Sequence, residues 1–286
     1  MTSEGLAPRV RAAIAAPRAG RAALIPYLTG GHPDRVSSHL LVEAVIDAGA
    51  DVVELGVPFS DPVADGPVVQ RSTHDALQAG TTPDHVFELA AAHRDRAPVV
   101  LLAYLNSVLA RGAQRFFSRA AEAGVEALVI PDLPLETATG PWPPGDASSH
   151  NAHDARSLLA MAADNGVALV PMATPTSTDE HLDLVASSTG AFVYCVAVIG
   201  VTGARQELGA ELPALAERLR ARTAAPLAAG FGISTPDQAA RAARLADGVI
   251  VGSALIDVVS RAPDVDEAAA QARRLVASIS GAIAGR

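Results

Sequence analysis

Eight short apolar runs, each followed by a longer stretch with helical periodicity, constrain this chain more than any other feature. The runs are Ala23–Leu28, Asp51–Leu55, Pro98–Ala103, Ala127–Pro131, Ala168–Met172, Phe192–Val196, Pro226–Ala229 and Gly248–Val251. They are nearly continuous in apolar residues rather than alternating, as parallel strands covered on both faces must be. Helical patterns lie between them: Val36–Ala48, Asp84–His93, Ala113–Ala123, Asp154–Asn165, Pro213–Arg222 and Pro236–Ala243. Gly49, Gly124 and Gly166 follow helical stretches as stop signals. Eight strand–helix units predict an α/β chain folded as one (β/α)8, or TIM-type, barrel domain spanning residues 1–286. An extra helix is expected near Leu6–Ala16 and another near Val265–Ile283. The rival, a doubly wound open sheet, calls for G-x-G-x-x-G after the first strand. Thr29-Gly-Gly-His-Pro33 is a turn without that pattern.

One segment breaks the rhythm. Thr139–His153, rich in Pro, Gly and short polar residues, sits between the fourth strand and its helix and reads as an inserted loop. It leaves the C-terminal end of a strand, the active face of a barrel. Its Trp142, the only tryptophan, either anchors a partner or packs its own loop.

Composition removes several functions. The chain has no lysine, so its basic residues are all arginine. A lysine Schiff base and a Walker-type phosphate loop are therefore excluded. Carbon–carbon bond chemistry here must be acid–base or borrowed from a cofactor. A net charge of −9 speaks against a basic face for nucleic acid. The single cysteine, Cys195, permits no internal disulfide and reads as a small buried apolar residue. A reducing, cytoplasmic setting is expected. No signal-peptide pattern opens the chain and no run suits a membrane span.

Two constellations carry chemistry. Glu54 stands near the C-terminal end of an otherwise apolar run and points opposite to Val53 and Leu55. Asp61 and Asp65 follow on a loop broken by Pro58, Pro62 and Pro67, and that loop can bring one of them opposite Glu54. Two carboxylates in different environments suit acid–base work; the alternative is a solvated loop beside a salt-bridged strand-end Glu. The second constellation is glycine: Gly200-Val-Thr-Gly203, Gly230-Phe-Gly232 and Gly252-Ser253, after the sixth, seventh and eighth runs. Backbone N–H groups there can bind phosphate, as barrels commonly do after strands 7 and 8. The alternative is tight turns that simply need glycine. The eight histidines form no ligand motif; His150 and His153, near Asp146 and Asp154, read as surface-loop residues rather than a metal site.

Residues Val53–Gly66 resemble the signature of the tryptophan synthase α subunit family. Further landmarks occur in order: Pro26–Asp34, Gly66–Arg71, Tyr104–Asn106, Pro131–Pro134, Ala173–Thr178, Gly200–Arg205, Gly230–Ser234 and Gly248–Ser253. The resemblance spans roughly residues 20–260. It implies a TIM barrel that cleaves indole-3-glycerol phosphate to indole and glyceraldehyde 3-phosphate, a retro-aldol reaction without lysine, cofactor or metal. It implies Glu54 as general acid–base and Asp65 as acceptor of the indole N–H. Tyr194 and Thr202 would line the pocket, with Thr202 on a lid. Gly203, Phe231, Gly232, Gly252 and Ser253 would hold the phosphate, and Leu102 and Tyr104 would enclose the indole. The implied partner is a tryptophan synthase β subunit in an α2β2 assembly. The chain departs from the family in the Thr139–His153 insertion and in Asn106-Ser107, where Asn-Pro is common. The insertion leaves open a stand-alone indole-releasing paralogue for specialised metabolism. A catalytically silent regulatory subunit is a further alternative, opposed by the presence of both Glu54 and Asp65.

Overall fold

The structure is a computed structural model that describes residues 5–15, 21–140, 142, 157–196, 211–230 and 232–284. Nine parallel strands are found among these residues: β1 Ala23–Thr29, β2 Val53–Gly56, β3 Val99–Leu102, β4 Val125–Val129, β5 Ala168–Leu169, β6 Met172–Ala173, β7 Val193–Val196, β8 Leu227–Gly230 and β9 Gly248–Val251. Their order is β5-β4-β3-β2-β1-β9-β8-β7-β6, all in parallel register. The two ends of this order, β5 and β6, are consecutive pieces of one run.

That run is the expected Ala168–Met172 strand, divided at Val170-Pro171. Proline has no N–H to give a ladder. The Val170 N–H donates to Leu128 O on one side (2.9 Å), and Pro171 O accepts from Tyr194 N–H on the other (2.9 Å). The fifth barrel position thus joins both neighbours and the sheet curls round on itself. The remaining runs match strands to within about two residues, the usual uncertainty of element ends.

Helices cover the outside. The expected extra helices are Pro8–Ala15 and Val265–Ala282. Pattern reading missed four, Pro67–Gln78, Leu105–Leu109, Leu135–Thr139 and Asp179–Ser188. Pro67–Gln78 lacks a clear apolar stripe, yet Gly66 as N-cap and Pro67 in the first turn are a start signal. Of the expected insertion, Thr139 ends a short helix, Gly140 caps it, and Trp142 packs partly buried against the core. Residues 141 and 143–156, with His150 and His153, lie outside the described residues. The next helix, Leu158–Asp164, starts at Ser157, whose hydroxyl accepts the Ala160 N–H (3.0 Å).

The core is aliphatic, built from Ala, Val, Leu and Ile with few aromatics, and runs continuously through the sheet and its helical cover. Every residue of β1, β2, β3, β7, β8 and β9 is buried except the half-buried Val196. No helix among the described residues is long and apolar enough to cross a membrane.

Candidate active site

Strand register decides which side chains meet inside the barrel. In a parallel sheet, residues directly paired across strands point to the same face. Tyr27 pairs with Glu54, Glu54 with Val100, and Gly56 with Leu102. On the far side Ile25 pairs with Ile250, and Met172 with Tyr194. Tyr27, Leu102, Tyr194 and Ile250 all line one cavity of about 300 Å³, so this face is the interior. Val53 and Leu55 point outward into the helical layer, as alternation requires.

The cavity is closed by Asp65, Gly66, Pro67, Val68 and Val69 on one side and by Gly232, Ile233, Gly252 and Ser253 on another. Gly56 has a steric reason to be glycine: a methyl group there would collide with the Tyr27 hydroxyl. Gly232 has a conformational one, with φ +80°. Gly252 is the N-cap of helix Ser253–Arg261, whose first N–H groups have no partner within the helix. The helix start beside Gly232 gives this end of the cavity an anion-binding character.

The opposite chemical character lies deeper. Glu54 is 1% exposed, and neither carboxylate oxygen has a hydrogen-bond partner among the described residues. Burial, and secondly the Asp65 charge, push its pKa up to about 8. Asp65 is half-buried, and its desolvation raises it to about 6, against a smaller opposing effect of the Tyr104 hydroxyl. Tyr104 also accepts the Ala64 N–H (3.0 Å), which pins the loop just before Asp65. Asp65 N–H donates to Pro62 O (3.1 Å), and Gln70 Nε2 donates to Asp65 O (2.9 Å). Tyr27 and Tyr194 are buried, and desolvation beside the two carboxylates drives both phenols above their ordinary value, so they stay neutral. Burial thus biases Glu54 toward its protonated form near neutral pH more strongly than it does Asp65.

Of the sequence-derived site residues, the fold brings Leu102, Tyr194, Asp65, Gly232, Gly252 and Ser253 to one cavity. It places Glu54 in the wall beside Tyr27, and Tyr104 behind Asp65. Asp61 is exposed and accepts a hydrogen bond from Ser60 (2.6 Å), so Asp65 is the loop carboxylate that meets Glu54. Thr202, Gly203 and Phe231 lie outside the described residues. Sequence reading missed Tyr27, although a signal existed: the chain has three tyrosines, and all three stand at this site. It also missed the apolar wall of Val68, Val69, Ile233 and Ile250, which no polar motif marks. No three His, Cys, Asp or Glu residues gather as a metal site among the described residues.

The sequence model of the tryptophan synthase alpha chain family matches residues 14–283. The chain belongs to the tryptophan synthase alpha chain family. The tryptophan synthase alpha chain of Roseiflexus sp. is 44% identical over 266 residues, covering 92% of this chain and 95% of that one. That of Carboxydothermus hydrogenoformans is 40% identical, covering 84% of each. Among solved structures, tryptophan synthase subunit alpha from Legionella pneumophila superposes with a TM-score of 0.80 at 31% identity, covering 96% of this chain and 98% of that one. Tryptophan synthase from Mycobacterium tuberculosis gives 0.78 at 31% identity, covering 98% of both. The alpha chain fold in these relatives is the barrel described here.

Proposed function

We propose that this chain is a carbon–carbon lyase that splits indole-3-glycerol phosphate into indole and glyceraldehyde 3-phosphate without cofactor or metal. The observation that carries this reading is a buried Glu54 with neither oxygen bonded among the described residues, paired in register with Tyr27 beside a cavity that Asp65 and an anion-binding helix start also line. The phosphate sits at Gly232, Gly252 and Ser253, assisted by Gly203 and Phe231. The indole ring lies among Leu102, Tyr104 and Tyr194, and Thr202 belongs to the loop that covers it.

The carbon–carbon bond cannot break until the ring can accept its electrons. Glu54 gives its proton to the ring carbon that carries the side chain, and Asp65 accepts the N–H of the cationic ring so formed. The Glu54 carboxylate then takes the proton of the hydroxyl on the adjoining glycerol carbon. That carbon becomes the aldehyde, the bonding pair returns to the ring, and indole leaves with Glu54 protonated again. One residue thus serves as acid and then as base, which suits a carboxyl poised near neutral pH.

The whole chain acts as one barrel domain with a surface insertion at about 139–153, works in the cytoplasm, and passes indole to a tryptophan synthase β subunit in an α2β2 assembly. The family match does not favour the stand-alone or the silent-subunit reading. Indole release from indole-3-glycerol phosphate by the purified chain, alone and with a β subunit, tests the proposal. Slow release that rises strongly with the β subunit is expected. Fast release alone would make the chain a self-sufficient lyase, and no release in either case would refute the lyase reading.

A further inference from the structure

One polar contact sealed beside the cavity is not used by the chemistry above. Thr29 ends β1, two residues beyond Tyr27 and on the same face. Its hydroxyl lies 2.7 Å from Ser72 Oγ, in helix Pro67–Gln78. Ser72 in turn donates to Val69 O (2.8 Å). Both hydroxyls are buried, Ser72 completely. A hydroxyl has one proton, and that of Ser72 is committed to Val69 O, so Thr29 donates to Ser72 and can only accept from Tyr27, the other hydroxyl it bonds.

The consequence lies one turn away. Val69, which receives the end of this chain of hydrogen bonds, is in the first turn of the helix and walls the cavity with Pro67 and Val68. Gly66 and Asp65 immediately precede that turn, and Gln70 within it holds the Asp65 carbonyl. Tyr104 grips the loop from the other side through Ala64. We propose that Thr29 and Ser72 are positioning residues: their buried hydroxyl bond seats the first turn of this helix on β1 and so fixes Asp65 opposite Glu54. The inference rests on the role proposed for Asp65. A catalytic group displaced by about an ångström can cost on the order of 10²-fold in rate, so a bond this far from the substrate matters to turnover.

The test uses the full chain with Thr29→Val, which keeps shape and removes the donor, with Ser72→Ala, with the double variant, and with Thr29→Ser as the conservative control. Two readouts are followed. The first is ¹³C NMR titration of aspartate-labelled protein, with the Asp65 signal assigned by its loss in Asp65→Asn. The second is kcat and KM for indole-3-glycerol phosphate. In Thr29→Val the Asp65 midpoint should fall from about 6 toward the ordinary carboxylate range as water reaches it. Turnover should fall about tenfold with KM changed by less than about twofold. The double variant should be no worse than the singles, and Thr29→Ser should restore both readouts. A folded Thr29→Val protein with an unchanged Asp65 midpoint, or one that only melts earlier while kcat holds, overturns the proposal. Should Thr29→Val fail to fold, Ser72→Ala carries the same two readouts. If the wild-type chain cleaves no substrate, the lyase reading fails, and the titration still decides whether the hydroxyl bond places Asp65.

Discussion

The second strand region carries two buried carboxylates three residues apart, and they are treated oppositely. Asp51, at the entry to β2, meets the Arg21 guanidinium at 2.7 Å and accepts the Leu24 N–H at 2.8 Å. Arg21 also donates to the carbonyls of Ala22 and Gly49. Glu54, inside β2 itself, has no partner among the described residues. Burial alone does not distinguish them, since both are under a tenth exposed. Satisfaction does. A buried polar group with all its partners closes the end of a barrel; one left without them carries a cost that stability does not explain. The first lies at the N-terminal entry of β2, and the second lies further along, toward the C-terminal side where a barrel keeps its chemistry.

The largest break in this comparison comes from Glu54→Gln. Turnover should fall by about 10²–10⁴-fold or more, because one residue supplies both acid and base. Binding of a non-reactive glycerol phosphate analogue should persist. The same substitution should raise the melting temperature at alkaline pH. The folded state holds the Glu54 proton up to about 8, the unfolded state only to about 4.5, so the wild type loses stability as pH rises between those values. Gln cannot ionise and avoids that loss. A variant that melts lower than wild type at pH 9 would contradict the account.

At the other end, Arg21→Met should leave Asp51 buried and unpaired. A loss of about 3–5 kcal/mol is expected in denaturant unfolding, with kcat per folded molecule unchanged. A fall in kcat comparable to that of Glu54→Gln would erase the distinction between the two ends.

The pH profile sharpens the comparison further. Asp65 must be ionised to accept the ring N–H, and its pKa is raised to about 6. Glu54 must be protonated to act first, and its pKa is raised to about 8. Cleavage should therefore fall below about 6 and above about 8, with the limbs belonging to the coupled pair. In Asp65→Asn the acid limb should vanish and the alkaline limb should shift to lower pH, because the charge that helps raise Glu54 is gone.

The smallest effect concerns a satisfied polar pair on the active face. His181 Nδ1 lies 2.8 Å from Glu136 and its Nε2 lies 3.1 Å from Met172 O. Two acceptors favour the doubly protonated ring: desolvation lowers its pKa, but the bonds to Glu136 and the Met172 carbonyl outweigh it and hold the pKa above the ordinary histidine value. The stabilisation is complete below the ordinary histidine value and is lost as pH rises through the folded one. Replacement by Gln should cost about 1 kcal/mol or less at pH 6 and nothing at pH 9, read from urea midpoints. Cleavage should be unaffected.

What the sequence could reveal follows from the same physics. The strands were legible because burial on both faces writes continuous apolar runs. Glu54 was legible as an acid flanked by apolar residues within such a run, whereas Asp51 stands at the start of it. The break at Pro171 was not anticipated, because the apolar run continues through a residue that cannot donate to the ladder. Spacing alone could not separate Asp65 from Asp61, since both stand on one proline-broken loop; the family resemblance pointed to Asp65, and the Tyr104 hydroxyl and the helix start at Gly66 give the physical reason. The Thr29–Ser72 bond was invisible, because it joins residues 43 positions apart through the fold alone.

The proton on Glu54 is the centre of this account. Infrared difference spectroscopy of the wild type against Glu54→Gln, across a pH titration, reads it directly. The account predicts a protonated carboxyl band at pH 7 that disappears with a midpoint near 8. A carboxylate already ionised at pH 6 would contradict it.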